Sequence, residues 1–299
     1  TSEDGNWHKE YSVIIDTFDL PLRYDFEHYE LNETGKYQVF FEETQGTALF
    51  NQYIWASGNS GFALTGVGRN PQEYPTVSIE NGIDGSRAIK LETKSTGQFG
   101  ETVKMPIAAG NLFLGSFDVN NAVQKPLKAT RFGLPFGKKP LQLKGYYKYT
   151  PGTQPFKAKD KNGNTVTIPG QEDEGDIYAV LYEAAELDGK ALDGNNVLTS
   201  EYIVALARVE VEKKDEFTAF HVDFHYGSRI PIDWPKFIRD QRDPSDDGTG
   251  EYWPFKEEKM KNYEYNLAVV FTSSKYGAYF AGSVGSTLCI DKVEIVCEK

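Results

Sequence analysis

Two strand-like runs joined by a long polar loop, in the stretch 106–151, constrain this chain more than any other feature. In the run 111–118, Asn111, Phe113, Gly115 and Phe117 alternate with Leu112, Leu114, Ser116 and Asp118. Both sides are largely apolar, the pattern of a strand enclosed within a core. The run 141–150 instead puts Leu141, Leu143, Tyr147 and Tyr149 on one face and Gln142, Lys144, Tyr146 and Lys148 on the other. That is the alternation of a half-exposed strand. The connection carries Arg131, Phe132, Pro135 and Phe136. Decorated loops between core strands are where all-β proteins commonly place a ligand site.

The rest of the chain repeats this period of two. The segment 175–184 alternates Asp176, Tyr178, Val180 and Tyr182 with Ile177, Ala179, Leu181 and Glu183. The segment 216–227 puts Phe220, Val222, Phe224 and Tyr226 opposite His221, Asp223 and His225. The segment 200–212 reads as helix or strand, with its Val-Ala alternation favouring strand, and Asn162-Gly163 between two alternating arms predicts a type I′ hairpin on a protruding ribbon. Aromatic residues make up 14% of the chain, and 28 Gly with 14 Pro supply turns, which favours pleated, turn-rich structure over helices. Helical periodicity is nearly absent, with one turn expected at 236–241. About a dozen strands predict an all-β, two-sheet jelly-roll β-sandwich over residues 25–299, preceded by an arm or linker at 1–24 holding one candidate strand.

A net charge of −12 and a pI near 4.9 exclude nucleic acid as the natural partner, because phosphates demand a basic footprint. Neutral glycans fit, since stacking and hydrogen bonds grip them. The two cysteines, Cys289 and Cys297, are eight residues apart. On one strand they lie about 26 Å apart, far beyond the roughly 4.4–6.8 Å of a disulfide, so they read as small hydrophobes. No run reaches the ~20 apolar residues of a membrane helix. The opening TSEDGN reads as a trimmed mature start, compatible with a removed export signal or lipid anchor and an extracellular or outer-membrane location.

YDFE at 24–27, WASGNSG at 55–61, GNLFLGSF at 110–117, LKATRFGLPF at 127–136, GYYKYTPG at 145–152 and LCIDKVEI at 288–295 carry a family resemblance. Together they resemble the putative carbohydrate metabolism domain of surface proteins from gut-dwelling Gram-negative bacteria, over roughly 25–299. The resemblance implies a jelly roll similar to carbohydrate-binding modules and a role in glycan capture or breakdown. Some members carry an immunoglobulin-like domain before the jelly roll, which 1–24 is too short to hold. Sugar modules of similar architecture often hold a structural Ca²⁺ between first and last strands. The matching positions are Glu27 and Asp291.

Sugar recognition needs flat aromatic faces beside hydrogen-bonding groups. Trp55, Trp234 and Trp253 stand in turn-rich polar sequence, with Asn59 near the first, and each also reads as a core-edge tryptophan. Arg131 reads either as a forked donor to sugar oxygens or as half of an ion pair. Tyr146 reads as a platform or as part of a solvated face. A glycosidase needs two carboxylates about 5–9.5 Å apart. Asp176, Glu183, Asp223, Asp233 and Glu251 are candidates, with no spacing that selects a pair. His221 and His225 on one strand are about 13 Å apart, too far to share a metal. The acidic cluster 243–251 lacks EF-hand spacing. Serine-hydrolase, Rossmann and P-loop motifs are absent. Three functions follow: a secreted or surface carbohydrate-binding domain, a glycoside hydrolase, or an adhesion module binding another envelope protein.

Overall fold

The structure is a computed structural model and describes residues 19–43, 51–187, 190–243 and 248–299. Most of the candidate strand in 12–20, and residues 244–247 of the acidic cluster, lie outside these. Two antiparallel sheets pack face to face as a jelly-roll sandwich. In the first sheet the strand order is Lys214–Asp223, Pro140–Thr150, Thr287–Cys297, Ala88–Glu92, Thr76–Ile79, with Arg23–Tyr24 also on the Thr287–Cys297 strand. In the second it is Thr130–Phe132, Asn111–Phe117, Tyr265–Thr272, Asp176–Glu183, Ile203–Val209, with Trp55–Ala56 and Leu134–Pro135 as side branches.

The inner faces follow from alternation. Leu143, Tyr147, Tyr149, Leu288, Ile290 and Val293 of the first sheet meet Leu112, Leu114, Ile177, Ala179, Val269 and Phe271 of the second in one core. Tyr24 is fully buried there and pairs with Val293, so the sandwich takes in the end of the segment expected to be an arm. Cys289 and Cys297 both lie on the last strand as free thiols.

Gly115 divides the strand Asn111–Phe117. Up to Phe113 this strand pairs with Tyr265–Thr272, and from Gly115 it pairs with Thr130–Phe132. Gly115 has φ +138°, and a Cβ there would stand 2.0 Å from the Arg131 carbonyl oxygen, so only glycine lets the two backbones come this close. Leu134 then returns to pair with Leu267. The long loop expected between the runs 111–118 and 141–150 is thus partly woven into the sheet, and Phe136 is a core residue.

The second sheet is covered on its outer face as well. All eight residues of Asp176–Glu183 are buried. Phe113, Phe132, Tyr178, Val180, Leu206 and Val270 form a second cluster outside the sheet, capped by Leu192, Val197 and Tyr252 from excursions. One excursion is stitched down by Phe132 N–H donating to the Leu192 carbonyl at 2.8 Å and Gly194 N–H to that of Leu127 at 2.7 Å. The predicted ribbon forms, Lys157–Lys159 against Thr165–Thr167. Its turn is longer than the type I′ expectation, because Asp160 Oδ1 accepts from both Asn162 N–H and Asn164 N–H at 2.8 Å and closes a wider loop.

Burial pushes the Glu42 carboxyl up to about 7 against the hydrogen bond that Trp55 Nε1 donates to it at 2.8 Å. A carboxyl raised in the folded state contributes stability that is full below the unfolded value of 4.5 and lost as pH climbs through about 7. We therefore expect the urea midpoint of the protein to fall between pH 4.5 and 7, and Glu42→Gln to flatten that fall. Urea titrations of both proteins across this range check it, and identical slopes count against it.

Candidate functional site

At one end of the second sheet the outer cover stops short and leaves a cavity of about 190 Å³. Its floor is two neighbouring rungs of the sheet. Asn111, Thr272 and Asp176 lie side by side in register, and so do Val270, Tyr178 and Arg208. The first rung is polar and the second mostly apolar. Phe99, Phe117, Trp234 and Tyr279 supply further aromatic lining.

Asp176 is the one carboxylate among the described lining residues. Arg208 grips both its oxygens, Nε to Oδ1 at 3.0 Å and Nη2 to Oδ2 at 2.6 Å. Burial acts to lower the Arg208 pKa, but the Asp176 charge and its hydrogen bonds win and hold it above the ordinary guanidinium value. A buried fork-to-fork pair of this kind fixes geometry, and breaking it strands a charge at a cost of about 3–5 kcal/mol.

Trp234 is set by a small satellite core of Phe156, Ala158, Ile238 and Tyr279, beside the predicted helical turn, seen at Lys236–Arg239. The Arg242 guanidinium lies 4.3 Å from the centroid of the Trp234 ring. Arg242 also donates to the Asn195 carbonyl at 3.2 Å and to Thr199 Oγ1 at 3.1 Å, so the tryptophan is held from above by two excursions. The Trp234 indole N–H is buried with no acceptor among the described residues.

The other residues singled out from sequence lie elsewhere. Trp55 is 4% exposed, enclosed by Tyr24, Phe26 and Phe271, with its N–H on Glu42. Trp253 packs on the main core and Tyr202, its Nε1 donating to Glu183 Oε2 at 2.6 Å. Glu183 is fully buried and also meets the Lys259 ammonium. Asp176 and Glu183 are the two ends of one strand, about 23 Å apart at about 3.3 Å per residue, so they cannot flank one glycosidic bond. Trp234 and Trp253 mark these opposite ends rather than one groove. Arg131 is exposed and paired with Asp118 at 3.0 Å, outside the cavity, whereas its neighbour Phe132 lines it. Tyr146 sits on the first sheet between Ala219 and Asp291. Asp223 accepts from Gln142 Nε2 at 2.6 Å and Glu251 from the Ser228 hydroxyl at 3.0 Å. Asp233 is exposed, with Arg239 3.9 Å away.

Asn59 is buried and serves as a surrogate strand partner. Its Oδ1 accepts from Thr76 N–H at 3.1 Å and its Nδ2 donates to the Thr76 carbonyl at 2.8 Å. Asn59→Ala leaves both groups buried and unpaired, which costs about 2–3 kcal/mol. Chemical denaturation measures this, and an unchanged midpoint contradicts it.

Glu27 and Asp291 both face the 82–87 turn. Asp291 Oδ2 accepts from Ile83 N–H at 2.6 Å and from the Ser86 hydroxyl at 2.8 Å, and its Oδ1 from Lys292 N–H at 2.7 Å. Glu27 Oε1 accepts from Arg87 N–H at 3.1 Å. Hydrogen-bond donors surround the pair where calcium requires six to eight oxygens, and no cluster of three or more metal-type side chains forms among the described residues. The pair does not fit the ion. A chelator is expected to leave the melting temperature unchanged, and a drop of several degrees reversed by added calcium contradicts this.

The sequence missed Phe99, Tyr178, Arg208, Arg242 and Tyr279. A signal existed for one of them. Arg208 is the lone charge in the otherwise apolar strand Ile203–Val209, and a buried guanidinium calls for a carboxylate from a neighbouring strand.

Residues 25–296 match the family model described as "Putative carbohydrate metabolism domain". The chain belongs to this family. A solved structure described as a putative glycoside hydrolase from Bacteroides thetaiotaomicron is 41% identical, with a TM-score of 0.76 over 94% of this chain and 72% of that one. A second, described in the same words and from Bacteroides vulgatus, is 34% identical, with a TM-score of 0.72 over 94% of this chain and 99% of that one. No curated protein matches the sequence. The family therefore carries the sandwich and a carbohydrate-metabolism label, while the chemistry has to be argued from the site.

Proposed function

We propose that this protein is a carbohydrate-binding domain that captures glycan outside the cell, on the outer membrane surface or as a secreted protein, for a breakdown or uptake system. The observation that supports it best is the cavity on the second sheet. It combines aromatic walls, Trp234 above all, with hydrogen-bonding groups of Asn111, Thr272 and Arg208. Aromatic surface with a few polar groups is what a pyranose ring requires. The one carboxylate on the described lining has both oxygens accepting from a guanidinium, which leaves neither the acid nor the opposed second carboxylate of a two-carboxylate hydrolysis.

Hydrolysis is the second reading, favoured by the description that the two similar structures carry. Binding and cutting separate cleanly. The protein is expected to bind on a glycan array of plant and host saccharides, and to release no reducing ends from the polysaccharides it binds. Trp234→Ala is expected to weaken binding about tenfold or more with the fold intact by circular dichroism. Released reducing ends favour the hydrolase, and an array on which nothing binds overturns the sugar reading in both forms.

A further inference from the structure

The cavity is small, and one of its walls continues into solvent. Sites that engulf a drug-sized ligand measure roughly 300–1,000 Å³. At about 190 Å³ this cavity is smaller than those. Phe99 lines the cavity and is nevertheless 40% exposed, so it stands on the rim. Its position is built. It lies on the short helix Gly97–Thr102, whose buried face is Gly100, where a Cβ would fall 2.5 Å from the Met105 carbonyl oxygen. With Gly100 pressed inward, its neighbour Phe99 is turned outward. Val67 continues the same apolar lip. It is also 40% exposed, and its Cγ2 lies 3.1 Å from where a Cβ on Gly97 would stand. Exposed apolar side chains scattered singly mean little, but an aromatic one continuous with the mouth of a polar-floored cavity extends the site.

We propose that Phe99, with Val67 beside it, is a second sugar subsite on the rim of the cavity. The protein then recognises an oligosaccharide through two neighbouring rings, one inside against Trp234 and the next stacked on Phe99. This rests on the sugar-binding reading above and adds to it a ligand class, oligosaccharides of at least two residues.

Calorimetric titration with matched series tests it: glucose, cellobiose and cellotriose; xylose, xylobiose and xylotriose; mannose, mannobiose and mannotriose. For the sugar that binds, the disaccharide is expected to bind about three- to tenfold more tightly than the monosaccharide, the gain of one stacked ring. The trisaccharide should add little. Phe99→Ala is expected to weaken the disaccharide more than the monosaccharide and so to erase the gain between them, while Phe99→Tyr keeps the gain. Trp234→Ala weakens every member of the series alike. Equal affinity of the wild type for mono- and disaccharide overturns the subsite and leaves sugar binding standing. So does a Phe99→Ala loss that is the same for both, or no loss at all. If no member of any series binds, the sugar-binding reading itself falls and the subsite with it.

Discussion

Burial of the second sheet on both faces is the constraint on which the rest of the molecule depends. A sandwich of two sheets normally leaves each outer face to water, and its strands alternate accordingly. Here Asp176–Glu183 is buried along its whole length, and Phe113, Tyr178 and Val270 put apolar surface on the side away from the partner sheet. That surface has to be covered. The chain covers it with excursions between strands, which cross the sheet and tie to it through Leu192, Gly194 and Tyr252. Where they stop, the sheet ends in a polar rung, and the cavity is the space left between sheet and cover. The long irregular connections of this chain are therefore structural before they are anything else.

The same constraint decides what was readable in the sequence. Strands with one wet face, such as Pro140–Thr150 and Lys214–Asp223, show their inward side directly, because a period of two separates buried from solvated positions. The strand Asp176–Glu183 shows alternation too, but with both sides buried the pattern says nothing about which side faces the core. The tryptophans failed for a related reason. Trp55, Trp234 and Trp253 stand in similar polar, turn-rich sequence, and what separates them is the acceptor of the indole N–H. Trp55 finds Glu42 and Trp253 finds Glu183, each brought from another part of the chain. Trp234 finds none among the described residues. No spacing in a single sequence reports a partner that the fold delivers from 13 or 70 residues away.

Charge pairing separates structural from functional acids in the same way. A chain with 44 acidic residues offers many candidates for any two-carboxylate reaction, and each of those singled out by sequence context has a partner in the structure. Arg208 holds Asp176, Lys259 and Trp253 hold Glu183, Gln142 holds Asp223, Ser228 holds Glu251, and Arg239 stands near Asp233. They are also dispersed over both sheets and the loops. A two-carboxylate mechanism needs two such groups facing each other across a gap that admits a sugar, and this dispersal gives no such gap among them.

Rigidity of the cover then matters for what the cavity can do. A site closed by mobile loops must order them at each binding event, at about 0.5–1.5 kcal/mol for every long side chain fixed. Arg242 joins three elements before any ligand arrives: it lies over Trp234, donates to Asn195 and to Thr199, and so locks one wall to the excursion that crosses the sheet. Arg208 does the same on the floor through its fork to Asp176. With floor and wall set by charge-assisted contacts, a small neutral ligand can retain most of its contact energy as affinity. That suits saccharides, whose individual hydrogen bonds gain little over those they surrender to water. On the sugar-binding reading proposed above, a preformed cavity with an aromatic rim is a physical solution to binding a weakly interacting ligand.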